Sequence, residues 1–412
     1  LEEYIIGYDL DSTMSQITWK RLGERRDKQE TYAVPFLLCK KYHVNQWSFG
    51  ETARTDKIAG RGTVPEHLLE KALKGEKILL EGESYEGTEL VLLFIKKTLE
   101  LLWQKIRKEQ AVAFMFTVER LDKDMVKLLN KIVFEIGKIG KDVYYQSHQE
   151  SFYQYVIHQP QEIWAKDVLA LEYNAPYLKT YLLKLNKGTT PIVAFIENKE
   201  FPHMDLSTSK LEGWEEREDL RFYEFMEGML KGSFISSIYL MGDGFQGNWM
   251  KKTLDLICHR RRVFMGKNLY AIGASMALEE KLRPDELVDK YVFLGKDRLK
   301  ANVGMNINIR GEESYYPLVD GGQNWYETKR EWELIMEEGE AVSLTITPLN
   351  GKEVRNVNII LRGLPKRPKK ATRIKMHLSF ETEQKMIIQI EDLGFGEMYP
   401  SSSMRWMEEI EI

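Results

Sequence analysis

The sequence predicts an α/β domain followed by an all-β sandwich. Two observations carry this. Up to about Ala277, short apolar runs alternate with segments of helical periodicity, the pattern an α/β domain writes. Beyond Ala277, strand-like runs alternate with turns and the helical period stops. A length of 412 residues fits two or three domains.

In order, Tyr4 to Leu10 reads as a buried strand, followed by a turn at Asp11 to Thr13 and a second strand, SQITW. YAVPFLLCK, residues 32–40, reads as a third. A polar, glycine-containing stretch runs from Phe49 to Gly82. Helical periodicity spans Glu86 to Arg107, and AVAFMFTV then reads as a central strand. Asp122 is placed to cap the next helix, which is expected to end at Gly140. Residues 168–173 and 177–185 form two strands around the turn NAP, and PIVAFIENK forms another. A helix covers about Glu215 to Leu230. FISSIYLMG is a strand ending in the turn GDGF, and a long helix is expected from Trp249. The later runs VGMNINIR, SYYPLV, WELIM, VSLTITPL, VNIILRGL, RIKMHLSF and KMIIQIEDL give seven or eight strands.

Apolar residues make up 43% and charged residues 30%, enough for real cores and against extensive disorder. A net charge of −4 over this length gives no support to global nucleic-acid binding. The clusters CHRRRVF and PKRPKK read as solvated turns or helix ends, since no aromatics interleave with their bases. The two cysteines, Cys39 and Cys258, exclude a disulfide framework and fit a reducing compartment. No apolar run reaches the roughly 20 residues that span a bilayer, and no signal peptide is legible. A cytoplasmic protein with neither a membrane nor a nucleic-acid partner is expected. The seven histidines show no metal-ligand spacing, so no structural zinc site is expected.

Three segments carry the functional reading. GYDLDSTMSQI places Asp9 at a strand end, with Asp11, Ser12 and Thr13 in a tight turn whose N–H and hydroxyl groups can face phosphate oxygens. VLALEYNAPYLKTYLLKL places Glu172 in a second hairpin, with Asn174, Ala175 and Pro176 at its turn. IYLMGDGFQGNWMKKTLDLI gives a strand, the turn Gly242, Asp243, Gly244, Phe245, and a helix. In this order they resemble the two phosphate loops and the adenosine motif of the actin, sugar-kinase and heat-shock-70 ATPase superfamily. KNLYAIGASMAL, with Gly273 and Ala274, resembles the closing helix of that domain.

The resemblance implies an actin-like, ribonuclease H-like domain of two lobes over residues 1–285, with a reduced covering subdomain. It implies a cleft for ATP or ADP with magnesium, Asp9 facing the metal. Asp9, Asp11, Ser12, Thr13, Glu172, Gly242, Asp243, Gly244 and Phe245 would bind the cofactor. Two departures predict weak or absent hydrolysis. Asp11 stands where relatives have glycine, and two unit charges about 4 Å apart repel by roughly 4 kcal/mol at an effective dielectric near 20. Asn174, Ala175 and Pro176 replace a glycine run, and Pro176 removes a backbone donor. Magnesium held by Asp9 or Asp11 would reverse the sign and make binding metal-dependent.

Residues 295–412 resemble the DnaK substrate-binding sandwich. Gly363, Pro365, Pro368, Asp392, Gly394 and Gly396 carry that likeness. It implies an apolar pocket for an extended peptide at Tyr315, Ile335 and Val342, and an arrangement without a helical lid after WMEEIEI. The expected function is a chaperone-like protein with a degenerate ATP cleft and a sandwich that holds unfolded or extended peptide, or another protein. The alternatives are an actin-like scaffold or filament and a magnesium-dependent ATPase. The sandwich argues against a small-molecule kinase.

Overall fold

The computed structural model describes residues 2–25, 28–137, 140, 142–174, 177–188, 190–201, 213–284, 286, 290–309, 311–349 and 353–412. The chain divides into two compact units, Leu1–Gly295 and Lys296–Ile412.

The first unit opens with β1 (Tyr4–Asp9), β2 (Met14–Arg21) and β3 (Glu30–Pro35). A small covering layer follows: β4 (Leu38–Lys41), β5 (Trp47–Phe49), α1 (Gly50–Ile58), β6 (Gly62–Thr63), α2 (Leu68–Leu73), β7 (Lys77–Leu80) and β8 (Glu83–Glu86). Then come α3 (Gly87–Trp103), β9 (Ala111–Val118), α4 (Lys123–Ile136), β10 (Asp142–Ser147) and α5 (His148–Ile157). The sheet order is β10-β9-β1-β2-β3, with β1 antiparallel to β2 and parallel to β9. Every residue of β9 is buried, as its unbroken apolar run requires of a central strand.

The second half of this unit repeats the plan. It holds β11 (Asp167–Asn174), β12 (Tyr177–Asn186), β13 (Ile192–Phe201), α6 (Trp214–Leu230), β14 (Ile235–Met241), α7 (Lys251–Cys258), β15 (Arg262–Met265), α8 (Leu269–Leu282) and β16 (Tyr291–Phe293). The order β15-β14-β11-β12-β13 has the same sequence of antiparallel and parallel neighbours as the first sheet, with β16 added at the edge. Alternation along β11 feeds two cores. Val168 and Ala170 join α5 and α8 on one face, while Leu169, Leu171 and Tyr173 join α6 and α7 on the other. Helix α8 also packs Ala274, Ala277 and Leu278 on the first sheet, so it serves both halves. Its close approach needs small residues. A Cβ on Gly7 would stand 2.2 Å from the Ala271 carbonyl, and one on Gly273 2.0 Å from the Ser151 carbonyl of α5.

Four local expectations change. The polar stretch from Phe49 to Gly82 contains two helices, whose weak amphipathic pattern hides them. The strand expected over 32–40 breaks after Pro35, where Phe36 N–H donates to the Thr13 carbonyl. Helix α4 starts at the expected cap, Asp122 accepting from Met125 N–H at 3.0 Å, but stops at Gly137, whose φ of 72° suits only glycine well. The helix expected from Trp249 is only α7, ended by Arg260 at a φ of 58°.

The second unit holds β17 (Ala301–Ile309), β18 (Glu312–Val319), β19 (Arg330–Met336), β20 (Ala341–Pro348), β21 (Arg355–Ile360), β22 (Thr372–Thr382), β23 (Lys385–Gly394) and β24 (Arg405–Glu411). Two four-stranded sheets form, β18-β17-β20-β21 and β19-β22-β23-β24. Asp392, fully buried, takes both guanidinium arms of Arg367 at 2.7 Å and the N–H groups of Gly394 and Ser402. Those bonds hold its carboxyl far below the usual range, the Arg367 pair foremost. Among the described residues, no helix is long and apolar enough to cross a membrane.

Candidate functional site

A cleft of about 370 Å³ lies in the first unit, within the range of small-molecule sites. Its walls include Asp9, Asp11 and Thr13 from the first hairpin, Glu172 and Asn174 from the second, and Gly242 and Asp243 from the turn after β14. The three sequence segments therefore meet. Each segment lies at or just past the C-terminal end of a strand, β1, β11 or β14, and ligands of open α/β sheets gather at such strand ends.

Asp9 ends β1 and is only 3% exposed. His148, the first residue of α5 and equally buried, donates from Nε2 to Asp9 Oδ1 at 2.7 Å. Its ring stacks on Tyr270 of α8, with centroids 3.9 Å apart and planes at 6°. Tyr270 donates its hydroxyl to Glu172 Oε2 at 2.9 Å, and Tyr181 donates to the same oxygen at 3.2 Å. A polar network thus runs along the cleft floor from β1 through the first turns of α5 and α8 to β11.

Burial raises the Asp9 carboxyl to about 6, against the opposing pull of His148. Burial also works to lower His148, but the Asp9 charge and hydrogen bond, with Glu172 and Asp11 behind them, win and raise it to about 9. Around neutral pH the pair is therefore an ion pair. Burial lifts Glu172 above the ordinary carboxylate range against the influence of His148. At the rim, Lys179 of β12 pairs with Glu119, just past β9. Arg54 and Lys267 line the cleft, so two lysine or arginine side chains face the carboxylates of Asp9, Asp11, Glu172 and Asp243 there.

The turn residues divide. Asp11 Oδ2 accepts both the hydroxyl of Thr13, at 2.7 Å, and its N–H, at 3.3 Å, so the two donors assigned to phosphate are engaged inside the turn. Ser12 is exposed and does not line the cleft. Gly242 adopts a φ of 92°, and a Cβ there would lie 2.3 Å from the Tyr173 carbonyl. Asn174 ties the two loops together, its Oδ1 accepting from Asp243 N–H at 3.4 Å. Ala175 and Pro176 lie outside the described residues. Gly244 and Phe245 do not face a ligand. The space a Cβ on Gly244 would take is filled by the Tyr173 ring, 1.9 Å away, and Phe245 is a core residue packed on Tyr173 and Phe222. The apolar run that placed them in the site belongs to the layer beneath it.

A divalent cation does not fit this donor set. Asp9 is occupied by His148, and Glu172 by two tyrosine hydroxyls and the Asn174 amide. Among the described residues no three carboxylate, imidazole or thiol groups stand together as a metal site.

The peptide pocket expected in the second unit does not assemble. Val342 is buried at 3% between the sheets, whereas Tyr315 and Ile335 are 48% and 56% exposed. Strand parity explains this: on β19 Met336 points inward, so its neighbour Ile335 must point out. Tyr315 lies over Gly304 of β17, on the neighbouring strand. Two grooves of about 580 and 630 Å³ in this unit are lined by other residues, including Trp406 in both.

Sequence reasoning missed His148 and Tyr270. SHQE, a serine and a glutamate at capping spacing directly after the strand DVYYQS, marks a helix start at a strand end and was the available signal for His148.

Residues 298–412 match a domain of unknown function, DUF8552. No curated protein matches the chain. Residues 24–296, more than half of the chain, match the family of unknown function DUF5716 in its C-terminal part, and the chain belongs to that family.

Proposed function

We propose that the first unit is a nucleotide-binding domain of the actin-like, heat-shock-70 type, and that it binds ADP or ATP with little or no hydrolysis. The supporting observation is the convergence of the three segments on one cleft between two halves of matching strand order. An internal duplication facing a shared cleft is what a two-lobed domain of that superfamily requires. Weak turnover follows from charge and from lost donors. Asp11 faces the cavity with a carboxylate, and the Thr13 groups that would hold phosphate are engaged by it. Among the described residues that line the cleft, Asp9 and Glu172 are both held by donors, so neither stands as a free base.

The second unit consists of two four-stranded sheets. The peptide-holding role has lost the residues that suggested it, and the proposal is confined to the cleft. Calorimetric titration of the full chain with ADP and with ATP tests it. Saturable one-to-one binding is expected for both, with ATP turnover near the uncatalysed rate. No heat of binding at millimolar nucleotide contradicts the proposal.

A further inference from the structure

Among the described residues, the four carboxylates lining the cleft are each already held by donors of this chain. Asp9 accepts from His148, Asp11 from both donors of Thr13, Glu172 from two tyrosines and an amide, and Asp243 from Gln246. On the turns, at Asp11 and Asp243, such bonds exchange readily with water. At Asp9 no such exchange is open. Acid and imidazole are both 3% exposed, and the imidazole lies flat on Tyr270. A magnesium ion demands near-octahedral oxygen ligands and gives up its water reluctantly. To use Asp9 Oδ1 it would have to displace a buried, stacked ring and strand that ring's donor, and at the other oxygen it would meet the charge of the imidazolium paired to the same carboxylate.

We propose that the cleft takes its phosphate-bearing ligand without a divalent cation, the buried His148–Asp9 pair on its floor replacing the carboxylate–metal contact. This rests on the nucleotide reading of the cleft. Lys267 and Arg54 are then the side chains that meet the phosphates, over the buried pair. Arg54 is available because its partner Glu51 is a solvent-exposed neighbour on α1, a weak competitor for a phosphate. The pair also fixes where the ligand can go. His148 starts α5 and Tyr270 lies in the first turn of α8, so two helix N-termini meet at the floor beside the stacked rings.

The test titrates ADP into the full chain twice, once in EDTA and once in excess magnesium. The two dissociation constants are expected to agree within about threefold. A loss of tenfold or more in EDTA overturns the inference and leaves the nucleotide reading standing. Absence of binding in both buffers overturns the two together. A second measurement needs no nucleotide: the electron paramagnetic resonance signal of free manganese should be unchanged by the protein. A bound fraction that disappears in Asp9→Asn overturns the inference. In His148→Gln, checked for fold by circular dichroism, ADP affinity in EDTA should fall at least tenfold, and unchanged affinity overturns the role given to His148. If that variant does not fold, the wild-type titrations decide alone.

Discussion

His148 Nε2 and Asp9 Oδ1 lie 2.7 Å apart although 139 residues separate them in the chain. Strand β1 and helix α5 bring them together, and the ring of Tyr270 closes the pair from the α8 side.

Stability should depend on pH through this pair. The folded pKa of His148 is raised to about 9 from an ordinary 6.5, so its contribution is fully present below about 6.5 and is lost as pH rises through 9. The size is on the order of 3 kcal/mol at one unit per 1.36 kcal/mol. Asp9, also raised, slopes the same way at lower pH, from about 4 to 6. Urea unfolding at pH 6, 7.5 and 9 should show the decline, and His148→Asn should flatten it between 6.5 and 9. A wild-type stability that rises over that window contradicts the assigned ion pair.

Asp11→Gly should tighten nucleotide binding. The substitution removes one carboxylate from the cavity and frees the N–H and hydroxyl of Thr13. A gain of at least tenfold in ADP affinity, about 1.4 kcal/mol, is expected by calorimetry. Weaker or unchanged binding would mean that phosphate does not approach this turn.

Local chemistry was legible in the sequence, and long-range geometry was not. The Asp122 cap, the buried run of β9 and the paired strands of the second hairpin depend on neighbours within a few residues, and the structure has them. Asp9, Glu172 and Gly242 were singled out by the resemblance of their segments to the phosphate and adenosine motifs, and all three line the cleft. His148 could not be paired with Asp9 by any local rule. Phe245 was misread for a related reason. A turn beside a cleft supplies both the wall and the core beneath it, and only packing separates the two. Ile335 failed on parity, since one step along a strand reverses the face, and Tyr315 lies on an exposed stretch of β18 while Val342 is buried.

Helix crossing sets a steric limit at Gly273. A Cβ there meets the Ser151 carbonyl at 2.0 Å, a backbone atom that cannot rotate away. Gly273→Val should cost about 3 kcal/mol or more in urea unfolding. Gly228 in α6 has nothing within 4 Å of the same position, so Gly228→Ala should stabilise by roughly 0.5–1 kcal/mol. Equal effects at the two sites would contradict the tight α5–α8 crossing.

In the sandwich, Arg367→Met would leave Asp392 charged, fully buried and short of its two strongest bonds. Breaking one side of such a pair costs about 3–5 kcal/mol. The expected result is a lower urea midpoint for the strand signal in circular dichroism. A loss below about 1 kcal/mol would mean that solvent reaches the site.

The most direct measurement is hydrogen–deuterium exchange of the full chain with and without saturating ADP. Bound nucleotide should slow exchange at residues 9–16, 172–174, 242–246 and 265–270 and around Arg54 and His148, the segments that line the cleft. Protection confined to these segments is the predicted result. An unchanged pattern, or protection only in residues 296–412, would contradict a nucleotide site between the two halves of the first unit.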